Sequence, residues 1–477
     1  MQSRPRARVV WLLALVGVSL AARLWLLFHR PLWHDETFTA WASRLPPAEL
    51  VAALRSDSGP PLFYLLEAPL ARAAKSPAED LGLRLLPFAA TLALFAVAGT
   101  LPRGAPRAWW IALVACFALV NLYAAEARAY AVLSLLAFVV FFLGAVASQT
   151  PGRLAALSVA AALALWTHYL ALFPVAAALL LALGSRRFRA AAALLVALVS
   201  FAPWVPVLLA QPRDAMAWQH EPAAGSALGF LSALGGVGRI PAPFGRTPGQ
   251  TVLLASAILG AALLLLLAAS TRGDATGRAA LRFVAVSLGL ALAASAWRPV
   301  AFAGRCEMAV LPVWAWAIAR GAPGRRPLGA FAALAAAAGL AVTAFVAFGP
   351  HPRSTAASAA ASVAKLARAG DVVVAGPGFY LPALLEAERG RLTARVAALP
   401  DTDAPHPGWF VAWPLSPDDV RRTESLAASL PKDARLFLLL PPAYSQPALT
   451  DPLSRLGVLR ELVRQKDGVL TAWTPAP

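Results

Sequence analysis

Long apolar runs recur from the start of the chain to about residue 348 and then give way to much shorter ones. Eleven stand out, roughly at 9–28, 83–101, 108–124, 128–148, 154–168, 170–184, 190–210, 251–271, 281–297, 307–320 and 328–348. A helix needs about 20 apolar residues to cross a bilayer core. The longer runs therefore predict membrane spans, while short ones such as 154–168 leave their boundaries loose. Beyond 349 the apolar stretches are of strand length: Asp371–Ala375, Trp409–Trp413, Arg435–Leu440 and Gly468–Trp473. Helical stretches fall between them, around 355–368, 379–388, 416–429 and 449–458. Strands alternating with helices predict a small α/β layer domain. The chain thus divides into a polytopic α-helical membrane part, 1–348, with about 11 transmembrane helices, and a C-terminal α/β domain, 349–477.

Composition agrees with that division. Of 477 residues, 59% are hydrophobic and 14% charged, and the mean hydropathy is +0.65, the profile of a multi-pass membrane protein. The net charge of +18 invites a nucleic-acid reading, but its distribution argues against one. Residues 1–348 hold 28 Lys and Arg against 12 Asp and Glu, whereas 349–477 hold 14 against 12. Much of the excess lies in the short loops 101–107, 149–153, 185–189, 272–280 and 320–327, as in Ser185-Arg-Arg-Phe-Arg189. The short turns on the other side carry few basic residues: Arg128, Arg298 and Arg305. This positive-inside pattern places the N-terminus inside, and an odd number of spans delivers the tail domain to the extracytoplasmic face. Arg4, Arg6 and Arg8 open the chain like a signal peptide. The apolar run behind them is longer than a signal's and lacks a small-residue cleavage site, so it reads as a retained first helix. Cys116 and Cys306 lie in or beside different spans and suggest neither a disulfide framework nor a metal site.

In that orientation nearly every residue capable of chemistry falls on the outer side. Asp35, Glu36, Asp57, Glu126, Arg128, His168, Tyr169, His220, Glu221, Arg305 and Glu307 are all in outer turns, and of the acids before 349 only Asp274 is inside. The pair Asp35-Glu36 stands just where the first span leaves the lipid, a costly and often functional place for acids; the alternative is a pair that merely ends the helix. In the outer loop 29–82, Pro46-Pro47 predicts a helix over Ala48–Leu54 with Glu49 in its first turn. Pro60-Pro61 predicts another, with Leu62, Leu65, Leu66 and Leu70 at helical spacing, and the two would lie in the interface as a platform. The Gly- and Pro-rich loop 211–249, carrying Trp218-Gln-His220-Glu221, could act as a flap or be a merely tolerated irregular loop. Arg23 and Arg84, near the outer ends of spans, either snorkel or face a cavity. Gly376-Pro-Gly378 reads as a strand-to-helix turn before it reads as a phosphate loop. A transporter should show midplane ionisable residues and matched broken helices, and no such repeat is visible.

Four segments carry a resemblance. Asp35-Glu36 followed by Pro60-Pro-Leu-Phe-Tyr64 looks like the first external loop of bacterial GT-C glycosyltransferases, nearest by pattern to the protein O-mannosyltransferase-like and aminoarabinose-transferase-like proteins. Ala125-Glu126-Ala-Arg128-Ala-Tyr130 is similar to their Arg-x-Tyr segment, and Thr167-His168-Tyr169 to their polar cluster between the fifth and sixth helices. Arg305-Cys306-Glu307-Met-Ala-Val-Leu-Pro312 is similar to their Arg-Tyr-x(4–5)-Pro segment. The likeness covers residues 1 to about 348. Two positions depart from it: Gly59 stands where the family often has His before the prolines, and Cys306 where it has an aromatic.

The resemblance implies an inverting transferase of the bacterial inner (plasma) membrane. It would move a sugar from a polyprenyl-phosphate donor to a lipid, polysaccharide or protein acceptor of the envelope. Asp35 would be the general base, with Glu36 as its orienting partner or a second ligand. Arg128 and Arg305 would hold the departing phosphate, with His168 and Tyr169 as supporting donors. Glu126, Tyr64, Arg84, His220 and Glu221 would support the site. Each has a plainer reading: Arg128 paired with Glu126 or a lipid headgroup, His168 and Tyr169 as interfacial anchors, Arg305 with Glu307 as a structural ion pair. No cofactor is assigned; a divalent ion bridging Asp35 and the donor phosphate would suit hard-cation chemistry. A transporter or flippase of lipid-linked sugars, and a catalytically silent scaffold, are the alternatives. The tail would cover the site or help receive the acceptor.

Overall fold

The structure is a computed structural model that describes residues 4–475 apart from 56–58, 74–76, 102–103, 212–221, 242–243, 245, 352–354, 401–414, 442–446 and 466–467. Its membrane part is a helical bundle whose outward faces are apolar: Trp11, Val199 and Leu265 are each 71% exposed. So large an exposed apolar surface calls for a covering phase other than water, and the chain is a multi-pass membrane protein. The interior is equally apolar but tightly filled around Trp110, Trp314 and Trp316. Trp110 and Trp314 satisfy their indole N–H groups on the carbonyls of Pro312 and Leu234, both at 2.8 Å, as a buried indole requires.

Helical segments occupy all the expected spans, yet length and apolarity do not establish eleven crossings. Among the described residues five helices are long and apolar enough to cross: Leu81–Thr100, Phe188–Ala210, Gln250–Ser270, Ala275–Ala294 and Arg326–Ala347. A sixth arises if helix α1 (Arg4–His29) and helix α2 (His34–Ala42), bent by 72° at their junction, are counted together. The run at 108–124 is broken at Phe117, where extended backbone separates Ala105–Cys116 from Ala118–Tyr123. Gly339 is pressed against that break: a Cβ there would lie 2.4 Å from the Cys116 carbonyl. Within 211–249 the chain forms a helix, Ala223–Leu234. It packs closely on both sides: a Cβ on its Gly229 would meet Ala303 at 2.4 Å, and one on Gly260 of helix Gln250–Ser270 would meet its Leu231 carbonyl at 1.9 Å. The basic loops meet in pairs, Arg320 with Asp274 at 2.9 Å and Gln149 with the Ala190 N–H at 3.2 Å.

Both platform helices form close to where the prolines place them, as α3 (Pro47–Arg55) and α4 (Leu62–Ala73). The helix α2 preceding them was not apparent from the sequence, because Thr-Phe-Thr has weak helical preference.

The tail is a mixed five-stranded sheet in the order β2-β1-β3-β5-β4, with β1 (Val372–Ala375) parallel to β2 (Arg395–Ala398) and β3 (Leu436–Leu440). β5 (Gly468–Pro475) runs antiparallel to β3 and to β4 (Gly457–Gln465). Strand alternation sends Val373, Ala375, Phe437 and Leu439 to one face under helices Thr355–Leu366 and Tyr380–Glu388. Val372, Val374, Leu436 and Leu438 go to the other, with Leu449, Leu453 and Trp473. Three of the four expected strands form; the expected strand at 409–413 lies outside the described residues, and β2 and β4 were not anticipated. Gly376–Gly378 makes the strand-to-helix turn, with Gly378 at φ +81°.

Helix Tyr380–Glu388, the docking helix, fastens this domain to α2. Leu381 joins the core of the bundle, and Leu385 packs with Leu32, Ala40 and Ala71. Arg44 pairs with Glu388 at 2.5 Å. A Cβ on Gly378 would stand 3.4 Å from His34.

Candidate active site

Pro31 forces the chain out of α1, and Trp33, in extended conformation, leads it into α2. Asp35 and Glu36 fall in the first turn of α2, where backbone N–H groups favour negative charge. Successive residues on a helix point about 100° apart, so the two carboxylates enter different surroundings.

Glu36 is fully buried. Its Oε1 accepts from Arg84 Nε at 2.7 Å, Arg30 Nη2 at 3.0 Å and the Ala127 N–H at 2.9 Å. Its Oε2 accepts from Arg84 Nη2 at 2.8 Å and the Trp33 N–H at 3.3 Å. Burial alone would raise its pKa, but Arg30 and Arg84 outweigh it and hold the carboxyl below the ordinary range. Arg84 also donates to the carbonyls of Arg30 and Pro31, at 2.6 and 3.1 Å. This cluster ties the end of α1, the start of α2 and residues 125–127 into one joint. Glu36, expected beside the chemistry, and Arg84, expected to snorkel or to face a cavity, meet in this cluster, and Arg84 also lines a cavity behind it.

Asp35 has fewer and longer contacts. Although only 2% exposed, its Oδ2 lies 3.3 Å from Arg305 Nη2 and 3.9 Å from Arg128 Nε. Arg128 reaches the Tyr64 hydroxyl at 3.5 Å. The Arg305 guanidinium lies 5.7 Å from the Tyr130 ring centre, and Tyr130 packs 5.1 Å from His168. His168 Nδ1 accepts the Leu170 N–H at 3.0 Å, which makes it a neutral imidazole with Nε2–H free to donate. The Tyr169 hydroxyl instead accepts from the Trp204 indole at 2.9 Å.

Glu126 lies among these groups. It is 1% exposed and neither carboxyl oxygen has a hydrogen-bond partner among the described residues. Burial pushes it up to about 8, so near neutral pH it is largely a protonated acid. Glu307 accepts the Gly304 N–H at 2.9 Å rather than pairing with Arg305.

The structure therefore gathers Asp35, Arg128, Arg305, Tyr64, Glu126 and His168, and sets Glu36 and Arg84 behind them. Arg23 is turned into the bundle, donating to Asn121 at 2.7 Å; an internal acceptor removes its need to snorkel or to face a cavity. Asp57, His220 and Glu221 lie outside the described residues. Sequence reasoning missed Arg30 in the frame and underused Tyr130. Arg30 stands beside Pro31 at the end of an apolar run, where a basic residue looks like an ordinary flank. No group of three His, Cys, Asp or Glu side chains suited to a metal is present among the described residues. Two guanidiniums converging on Asp35 favour an incoming anion over a cation.

No family model matches the chain, and no curated protein matches it by sequence. Among solved structures it is similar to ArnT from Cupriavidus metallidurans in the apo state, with TM-score 0.61 and 14% identity over 98% of both chains. It is similar also to ArnT from the same organism bound to undecaprenyl phosphate, with TM-score 0.62 and 13% identity over 97% of this chain and 98% of that one. The likeness runs through bundle and tail alike: the chain has the GT-C-like fold of ArnT over nearly its whole length.

Proposed function

We propose that this chain is a membrane glycosyltransferase of the bacterial inner membrane that takes its sugar from a polyprenyl-phosphate donor with inversion at the anomeric carbon. The observation that carries the reading is the pairing of Asp35 with Arg305 and Arg128 at 3.3 and 3.9 Å inside a GT-C-like fold. Fold alone would not suffice; a buried acid paired with two guanidiniums gives it chemical content. The solved relative bound to undecaprenyl phosphate supports a donor of that class.

In the proposed reaction the donor phosphate takes Asp35's place as partner of Arg128 and Arg305, whose planar forks suit phosphate oxygens. Asp35, so released, accepts the proton of the acceptor hydroxyl or amine. The acceptor atom bonds to the anomeric carbon as the carbon–oxygen bond to phosphate breaks, and the polyprenyl phosphate departs with the electron pair. The two guanidiniums contribute to rate only as far as they hold the departing phosphate better than the bound donor. His168 and protonated Glu126 can donate further hydrogen bonds to the same oxygens. The tail faces the outer side with the site and receives the acceptor.

The reading is tested by purifying the chain with undecaprenyl-phosphate sugars and acceptor extracts from the bacterial envelope. Sugar should pass to an acceptor with release of undecaprenyl phosphate, and Asp35→Asn should slow it by about 10²–10⁴-fold. A chain that moves lipid-linked sugar between leaflets without breaking the sugar–phosphate bond would be a transporter instead.

A further inference from the structure

We infer that a second site, for an anionic phospholipid of the surrounding bilayer, lies behind α2 at the seam between the bundle and the tail domain. A cavity of about 640 Å³ stands there, within the range of about 300–1,000 Å³ typical of ligand sites. One wall is apolar, built from Leu27 and Phe28 at the end of α1, Leu32 of the turn, Leu81, and Leu385 of the docking helix. The other is basic: Arg389 and Arg391 follow the docking helix, with His29 and His351 beside them. Glu386 is the carboxylate lining this wall, and Arg391 donates to it at 2.7 Å. Guanidiniums therefore outnumber carboxylates there. At the inner end Arg30 and Arg84 add two more against Glu36.

The depth of the cavity identifies the occupant. Trp25, Phe28 and Phe348 stand exposed next to it at 41, 63 and 58%, with the Trp25 and Phe348 rings 5.5 Å apart. An exposed Trp near the end of a span, here Trp25, marks the headgroup level. A basic wall above an apolar one at that level fits a phosphate headgroup whose chains remain in the bilayer. Soluble phosphate would meet the cations and leave the apolar wall bare. Asp35 does not line the cavity, whereas Thr37, two residues further along α2 and on its other side, does. The site is thus separate from the one proposed for the donor and braces the helix that carries Asp35 from behind. It rests on the chain being a membrane protein and not on glycosyl transfer.

The full chain, purified into nanodiscs of phosphatidylcholine with increasing phosphatidylglycerol, tests this by its unfolding temperature. The midpoint should rise saturably with phosphatidylglycerol, as binding to the folded state requires. The Arg389→Gln/Arg391→Gln variant should need about tenfold more of the anionic lipid for the same rise, the scale of a lost charge-assisted hydrogen bond. Glu386→Gln, which removes a carboxylate from the basic wall, should need less than the parent. Arg421→Gln/Arg422→Gln, on the far face of the sheet, should respond like the parent. A parental response from the Arg389/Arg391 variant overturns the site, as does a weakened response from Glu386→Gln. Full stabilisation by inorganic phosphate in phosphatidylcholine alone overturns the assignment to lipid.

Discussion

Glu36 accepts five hydrogen bonds from two arginines and two backbone N–H groups, while Asp35, one residue earlier, is approached by two guanidiniums at 3.3 and 3.9 Å. Both carboxylates are buried, and both face arginine. The difference lies in saturation. A carboxylate whose acceptor sites are filled by short bonds has nothing left to offer a substrate. A carboxylate with one hydrogen bond of 3.3 Å keeps basicity in reserve. Asp371 in the tail belongs with Glu36: it accepts from Arg435 and from the N–H groups of Arg368 and Arg435, each at 2.8 Å, and locks β1 to β3. An acid's proximity to arginine thus says little about function until its remaining valence is counted.

The largest effect should come from breaking the saturated side. Arg84→Ala strands Glu36 in the interior, and losing one partner of a buried pair costs about 3–5 kcal/mol. Membrane abundance should collapse in quantitative blots, with Glu36→Gln less severe in the same direction. Normal abundance with lost transfer in both variants would break the contrast and return Glu36 to the chemistry.

Asp35→Asn should do the reverse. Transfer should fall by about 10²–10⁴-fold, the usual contribution of a general base, while abundance falls less than in Arg84→Ala, because Asn keeps the side chain's shape and can still accept from Arg305. Near-parental transfer rates would make Asp35 a helix-end residue and nothing more.

Smaller effects sharpen the unsaturated side. Arg305→Ala should raise the KM for lipid-phosphate sugar by about tenfold, and Arg305→Lys should recover part of it, because an ammonium lacks the guanidinium fork. An unchanged KM in both would place Arg305 among the structural cations.

The mildest test uses pH. Burial pushes Glu67 in α4 up to about 9 from 4.5, and neither of its oxygens has a partner among the described residues. The folded chain therefore keeps a proton that the unfolded chain releases, and stability falls as pH rises through that window. Glu67→Gln should flatten the fall and raise the unfolding temperature at pH 8. A pH dependence identical to the parent's would mean that Glu67 is ionised and solvated.

The bundle was legible because apolar runs and basic loops obey the bilayer, and the tail helices because their ends carry recognisable signals such as Ser416 before Pro417. What the sequence could not show was saturation. Asp35 and Glu36 are indistinguishable in a string of letters, and only packing decides that Arg84 turns to Glu36 while Arg305, 270 positions away from Asp35, turns to it. Helix Ala223–Leu234 was hidden by its glycines, which read as loop until the close approach of Ala303 to Gly229 is in view. Strand β2 escaped because Arg395–Ala398 is a short, half-exposed edge with no long apolar run.

The contact between α2 and the docking helix joins residues far apart in the order of synthesis, since Arg44 and Glu388 are 344 positions apart. The helix that bears Asp35 leaves the ribosome long before the helix that braces it. A chain stalled or cut before residue 380 would have every acid and arginine of the site and still lack the buttress for the helix that aims them. Completion of the chain thereby becomes a condition of completing the site, and unfinished molecules are left without a fully supported centre.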